Sequence, residues 1–388
     1  MNDPAEKTDV LLVGGGVASV RCARTLRRHG FDGSILILGA EPFAPYNRPP
    51  LSKELLRDDL DDELVLAEPM RWYERRRIGL RTDARVERLD PSAGVAALSD
   101  GSTIGFGRCL LATGSEPIRL AVPGAEHALE LRTLADAHRL RDRARAASAG
   151  ASVVVVGGGF IGVEVASGLA ALGLRPLIVE RAGALWAGSL GTELATWGRD
   201  HLAAAGVETR FDATVTRVEA NAAWVDDERI EAAFTVVGIG VRPRVELGRE
   251  AGLAEDDGIT TDATQRTSHP SVWAAGDVAR SAGLRVEHWH SARESGERAA
   301  MSMLELPVPP PPAPWFFSEV GGTALDVLGV APEWDEERWI REGAVLAHLT
   351  AGRVVRLVSI GSALDPAVAR DLVAANVPTG AVEAAMAR

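Results

Sequence analysis

Two glycine turns of one pattern, Gly14-Gly15-Gly16-Val17-Ala18-Ser19 and Gly157-Gly158-Gly159-Phe160-Ile161-Gly162, stand 143 residues apart, each directly behind an apolar run. The runs, Val10 to Val13 and Val153 to Val156, have no polar interruption, which is how a parallel strand covered on both faces reads. Glycines there let the chain turn sharply. They also let backbone amides approach a pyrophosphate at a helix N-terminus, where unpaired N–H groups and the helix dipole favour negative charge. Each unit returns to a second strand, Ser34 to Leu38 and Pro176 to Val179, and each of these ends near an acid. Glu41 lies 27 residues beyond Gly14 and Glu180 lies 23 beyond Gly157, near the roughly 20-residue offset at which a carboxylate meets a ribose hydroxyl pair. A single glycine turn also serves plain packing. Two of them, each with its acid, imply two dinucleotides, and a chain holding both is most economically read as passing hydride from a nicotinamide to a flavin. Ser19 stands where the third small residue of the first turn is expected.

The 388 residues, 46% hydrophobic and 25% charged, are enough for two or three domains with real cores. The absence of any run of about 18 apolar residues, with a polar, acidic stretch at residues 1–10, predicts neither a membrane span nor a signal peptide, and leaves the cytoplasm as the default location. A net charge of −12, from 42 basic and 54 acidic residues, argues against nucleic acid as a partner. Locally the balance reverses: Arg71, Arg75, Arg76, Arg77, Arg81, Arg85 and Arg88 crowd one segment, which reads as a docking face for an acidic partner or as a solvated face. Cys22 and Cys109, the chain's two cysteines, form no CxxC or CxxxxC pair, so no redox dithiol is expected beside a flavin. No metal site is expected either, since the eight histidines keep no zinc-like spacing, and a packing role is the reading for His288 and His290.

Residues 1 to about 117 run strand, helix, strand, a proline-rich loop and further β segments ending at Cys109-Leu110-Leu111-Ala112-Thr113-Gly114, and a complete second unit follows. Thr235 to Gly240 repeats the strand-then-glycine ending, and Val272 to Asp277 reads as one more buried strand closing on an acid. The predicted fold is α/β. Two nested Rossmann-like dinucleotide-binding domains, glutathione-reductase-like, take residues 1–117 with 238–312 and residues 118–237; a small C-terminal α+β domain takes 313–388. The prolines at 307, 309 to 312 and 314 form a stiff hinge before it. Within it, Val354 to Ile360 reads as a strand and Asp365 to Ala375 as a closing helix.

Pro45-Tyr46-Asn47-Arg48-Pro49-Pro50-Leu51-Ser52-Lys53, Ala112-Thr113-Gly114, Gly157 through Glu164, Ala275-Gly276-Asp277-Val278-Ala279, Val286-Glu287-His288-Trp289 and Trp315-Phe316-Phe317-Ser318 follow one another along the chain. In this order they resemble the FAD-dependent ferredoxin reductases, the type that serves cytochromes P450 and Rieske oxygenases. The resemblance spans the whole chain, and the segment ending in Lys53 is its most specific element. It implies that the first unit binds FAD and the second NADH. Gly14, Gly16, Val17 and Ala18 would face the FAD pyrophosphate, Glu41 its adenosine ribose with Val86 beside it, and Gly276 and Asp277 the ribityl chain or pyrophosphate. Arg48 and Lys53 would line the flavin, with Ala112, Thr113, Gly114 and Arg132 completing its enclosure and Trp289 bordering the ring. A β turn at Thr113-Gly114 and a surface ion pair at Arg132 are the plainer readings. Gly157, Gly159, Ile161, Gly162 and Gly240 would hold NADH. Lys53 and Glu164 would meet where the nicotinamide stacks, and Phe160 would cover the flavin until the nicotinamide displaces it. Helix, core and packing roles stand as the alternatives for Glu164, Phe160 and Trp289. Glu180 predicts NADH over NADPH, with Arg181 beside it as the contrary sign.

The implied acceptor is a small acidic [2Fe-2S] ferredoxin, reduced by a monomer or homodimer. Departures fall near the expected flavin edge. Ser291 and Ser295 replace an asparagine and a glutamine, Glu319-Val320 replaces Asp-Gln, and Gly361-Ser362-Ala363 replaces an Asn-Arg-Pro loop. They leave two alternatives: a flavoenzyme acting directly on a small molecule or oxygen, and a flavin-bound interaction protein responsive to NADH.

Overall fold

The computed structural model describes residues 6–58 and 60–387, so the first five positions of the polar start lie outside them. The chain forms two compact units, Met1–Asn47 with Asp61–Glu116 and Arg242–Pro311, and Arg48–Leu60 with Pro117–Val241 and Pro312–Arg388. Both carry parallel sheets, as the apolar runs predicted.

Among the described residues, the first unit is built on a seven-stranded sheet. Strands Ile78–Arg81, Ile35–Leu38, Glu6–Val13 and Thr103–Leu111 lie parallel in that order. The long strand Thr103–Leu111 takes the antiparallel Val95–Leu98 along its first residues and the parallel Val272–Ala274 along its last. Alternation along Glu6–Val13 sends Leu11 and Val13 into one apolar cluster and Val10 and Leu12 into another. Both faces of the sheet are therefore buried, with each fully buried side chain contributing roughly 1.5–3 kcal/mol. Helices Val17–Arg28 and Trp289–Met303 cover the second cluster through Ala18, Cys22, Ala23, Leu26, Ala299 and Met303. Strand order reverses between Glu6–Val13 and Thr103–Leu111, and a crevice opens at such a point outside the carboxyl ends of the strands.

The second unit repeats this plan with a five-stranded parallel sheet, ordered Glu208–Arg210, Arg175–Val179, Ser152–Val156, Thr235–Val237, Leu129–Glu130. Helix Phe160–Ala171 follows its central strand, and residues 162–169 of that helix are all buried. The same unit holds an antiparallel five-stranded sheet ordered Trp315–Val320, Thr323–Leu328, Arg353–Ile360, Val345–Thr350, Glu336–Arg341. The closing helix forms over Pro366–Ala374 with Asp365 capping its first amides. A further helix, Thr379–Met386, was not anticipated; Asn376 in the left-handed region ends the first helix and Pro378 starts the next. Residues 306–314 take no regular structure, as a proline run demands.

Candidate functional site

In the first unit, three loops leave the carboxyl ends of neighbouring strands. Gly14 follows Glu6–Val13, Ala112 follows Thr103–Leu111, and Gly276 follows Val272–Ala274 by two residues. Gly14 has φ +126°, and a Cβ there would lie 2.1 Å from the Ala112 carbonyl oxygen, so only glycine permits this approach. Helix Val17–Arg28 starts at Gly16 with no side-chain cap and no acid in its first turn. Its first amides are thus left for an outside anion. Ser19, in the third position of the turn, is fully buried. Glu41 accepts a hydrogen bond from the Tyr46 hydroxyl at 2.6 Å, while Asp83 N donates to the Glu41 carbonyl and Ala84 N to that of Gly39. These contacts bring the start of strand Val86–Asp90 alongside Glu41.

The rest of the first unit's predicted set is tied down by its neighbours. Thr113 Oγ1 donates to the Arg244 carbonyl at 2.9 Å, and Arg244 N donates to Gly114 O at 2.9 Å. Asp277 accepts from Ser115 Oγ at 2.8 Å, and Gly276 N donates to Ser295 Oγ at 3.0 Å. The Trp289 indole donates to Asn47 Oδ1 at 2.9 Å, and the Arg293 guanidinium lies 4.3 Å from its ring centroid. His288 precedes Trp289 and faces Asp277; burial pushes its pKa down to about 4, with the Asp277 carboxylate pulling the other way. Arg48, Lys53 and Arg132 belong to the second unit.

The second unit's cradle has the same construction. Gly157 has φ +108°, and a Cβ there would lie 2.4 Å from the Gly238 carbonyl oxygen. Helix Phe160–Ala171 begins at Gly159, again with neither a side-chain cap nor a first-turn acid. The Glu180 carboxylate accepts from Gly158 N at 2.6 Å and from Ala182 N at 2.8 Å, which fixes it at the strand end beside the glycine turn. Gly240 is exposed and its carbonyl receives Ile118 N, while Ile161 is 41% exposed at the head of the helix. Arg132 N and Thr133 N both donate to Asp136, so Arg132 stands at the capped start of helix Leu134–Ala146. In both cradles a dinucleotide fits the groups present: close-approach glycines and uncapped helix amides suit its pyrophosphate, and the carboxylate at the next strand end can accept from ribose hydroxyls.

Lys53 and Glu164, far apart in sequence, meet as an ion pair at 2.7 Å, with relative exposures of 8% and 6%. Arg48 stands at the start of the 3-10 turn Pro49–Ser52 that leads into Lys53, without a side-chain cap. Glu164 also accepts from Ser52 Oγ at 2.5 Å and Ser318 Oγ at 2.7 Å. Phe160 packs between Trp186, at 5.9 Å, and Phe316, at 4.6 Å and 73°. Ser52, Ser318, Asn47, Ser115 and Trp186 were not singled out from the sequence. Three of them lie inside quoted motifs, but a short polar residue in a motif announces no partner.

A family model described as pyridine nucleotide-disulphide oxidoreductase matches residues 8–296. The chain belongs to this family. Within it, rubredoxin-NAD(+) reductase of Pseudomonas putida is 33% identical over 84% of this chain and 88% of its own length. The biphenyl dioxygenase system ferredoxin--NAD(+) reductase component of Paraburkholderia xenovorans (strain LB400) is 34% identical over 96% and 94%. Among solved structures, the covalent putidaredoxin reductase–putidaredoxin complex matches with a TM-score of 0.91 at 26% identity, covering 97% of this chain and 94% of that one. As a pyridine nucleotide-disulphide oxidoreductase, this chain uses a flavin and NAD(H). It carries no disulfide of its own, because Cys22 and Cys109 sit in clusters on opposite faces of the first sheet, and burial raises both thiol pKa values. No group of three or more potential metal ligands occurs among the described residues, and no described helix is long and apolar enough to cross a membrane.

Proposed function

We propose that this chain is an NADH-dependent reductase that passes electrons through FAD to a [2Fe-2S] ferredoxin serving a P450 or Rieske oxygenase. The observation that carries this reading is the pair of matched cradles, each a close-approach glycine, an uncapped helix and a carboxylate. FAD belongs with residues 1–117 and 238–312, NADH with 118–237, and residues 313–388 form the C-terminal domain. When bound, FAD supplies the conversion of a two-electron hydride into electrons released singly. Gly14, Gly16, Val17 and Ala18 hold its pyrophosphate, Glu41 and Val86 its adenosine end, and Gly276 and Asp277 its linking chain. By the resemblance, Ala112, Thr113, Gly114 and Trp289 of the first unit are assigned to the ring, as are Arg48, Lys53 and Arg132 of the second. Gly157, Gly159, Phe160, Ile161, Gly162 and Gly240 hold NADH, and Glu180 selects it over NADPH by accepting from the ribose hydroxyls and repelling a 2′-phosphate.

Lys53 and Glu164 place a fixed dipole beside the reacting centre. A buried ion pair with further hydrogen bonds is the form in which two charges tolerate burial, and preorganised charge there orients the nicotinamide without later reorganisation. Phe160 excludes water until the nicotinamide arrives. The seven arginines from Arg71 to Arg88 are all exposed and form the docking face for an acidic partner. We place the reaction in the cytoplasm, with the chain a monomer or homodimer.

The relatives favour neither a direct oxidase nor an interaction protein. One of them is named for rubredoxin, so a second acceptor is worth an arm of the test. The purified FAD-loaded protein is reduced by NADH without oxygen, and reoxidation is followed with ferredoxin, rubredoxin or oxygen. Fast reoxidation by ferredoxin is expected. Reoxidation by oxygen alone, with both iron–sulfur and rubredoxin carriers inert, contradicts the reading.

A further inference from the structure

Helix Phe160–Ala171 packs against strand Trp315–Val320 and the turn that follows it. Phe160 meets Phe316 edge to face, Glu164 Oε1 accepts from Ser318 Oγ at 2.7 Å, and Ser167 Oγ accepts from Gly321 N at 2.9 Å. The step from Phe160 to Glu164 rises about 6 Å along the helix and that from Phe316 to Ser318 about 6.6 Å along the strand, so these two contacts keep pace, while the third falls on Gly321 in the turn beyond the strand. The other strand face takes part as well: the Lys53 ammonium is 5.8 Å from the Phe317 ring centroid, and Glu319 pairs with Arg57, four residues beyond Lys53. One turn beyond Glu164, Gly168 admits the segment bearing Lys53. A Cβ there would come within 2.9 Å of Leu56 Cδ2.

The two Glu164 oxygens are thereby divided. Oε2 receives Lys53 Nζ and Ser52 Oγ, whereas Oε1 receives Ser318 Oγ. Three points fix the plane of the carboxylate. With the Ser318 hydroxyl removed, both donors that remain of these three lie on Oε2, and the hydrogen bond that fixes Oε1 is gone.

We propose that Ser318 is a positioning residue: it holds Glu164 in the orientation that aims the Lys53–Glu164 pair, making this C-terminal strand part of the nicotinamide site. The inference rests on the proposed reading of that pair. A charge-assisted hydrogen bond of this kind supports an effect of about tenfold. The test is a double-mutant cycle on the FAD-loaded full chain, reading NAD(+) affinity by calorimetry and flavin reduction by NADH in anaerobic single-turnover mixing. Ser318→Ala should weaken NAD(+) binding and slow reduction about tenfold in the parent, and by less than about twofold when Glu164→Ala is already present. Ser318→Thr, which keeps the hydroxyl, should restore most of the loss. Equal losses in both backgrounds would show that Ser318 acts other than through Glu164 and would overturn the proposal. So would parental behaviour of Ser318→Ala while Glu164→Ala is impaired, an outcome that leaves the reductase reading standing. If NADH fails to reduce even the parent, the reductase reading falls and this inference with it.

Discussion

Glu180 closes strand Arg175–Val179 with each carboxylate oxygen on one backbone amide, Gly158 and Ala182, so its position is set before any nucleotide arrives. Glu180→Ala should lower kcat/KM for NADH about tenfold and narrow the gap to NADPH; an unchanged ratio in steady-state kinetics would count against its selecting role. His348 shows the opposite use of burial. It is fully buried, shares a hydrogen bond between Nε2 and the Leu190 carbonyl at 3.1 Å, and has its pKa pushed down to about 4, first by burial and then by neighbouring Arg356. An unfolded histidine takes its proton near pH 6.5 while this one refuses it until about 4. The unfolded state therefore binds more protons across that window. Stability should be full above it and should fall as pH drops through it, by about 3 kcal/mol for this group. His288 adds in the same direction. Denaturant melts at several pH values should show His348→Gln with a flatter slope between pH 6.5 and 4; an unchanged slope would contradict the assignment.

At the scale of elements, helix Thr192–Ala204 starts at Gly191, which has no side chain to cap it. Glu337 of strand Glu336–Arg341 supplies the cap from another part of the chain, accepting from Thr192 N at 3.0 Å and Glu193 N at 2.9 Å. Trp339 N–H donates to Glu193 one strand repeat further on. Glu337→Ala should destabilise the protein by about 1 kcal/mol, the worth of a cap reinforced by the helix dipole. A melting midpoint identical to the parent's would refute the cap. This contact also marks the limit of what the sequence reveals. The glycine turns were legible because a turn against a neighbouring strand is a local backbone requirement, and glycine alone meets it. Strands behind them were legible because burial on both faces leaves no polar interruption. The caps and donors from afar were not. Ser318 lies 154 residues from Glu164, and its choice of partner is made by helix-on-strand docking, which leaves no periodic trace. Thr379–Met386 escaped notice because the expected closing helix ends at Ala375, and the four residues 375–378 that turn the chain into a second short helix carry no long apolar period.

Across the whole molecule, two copies of one β-turn-α plan account for most of the buried strands, and the chemistry follows from their having different loops. The first unit gathers Gly14, Ala112 and Gly276 at the ends of three adjacent strands; the second gathers Gly157, Glu180 and the Lys53–Glu164 pair. Family membership was legible from motif order, whereas the departures at Ser295 and Glu319 became intelligible only in three dimensions. Ser295 takes the Gly276 amide and Glu319 takes Arg57. Neither needs a new substrate to explain it. The most direct measurement is anaerobic titration of the purified, FAD-loaded chain with NADH, followed in the visible spectrum. Bound flavin at one per chain, bleached by one equivalent of NADH and slowed severalfold or more by Glu164→Ala, is the expected result. A chain that folds but retains no FAD, or whose flavin keeps its oxidised spectrum in excess NADH, would contradict the central claim.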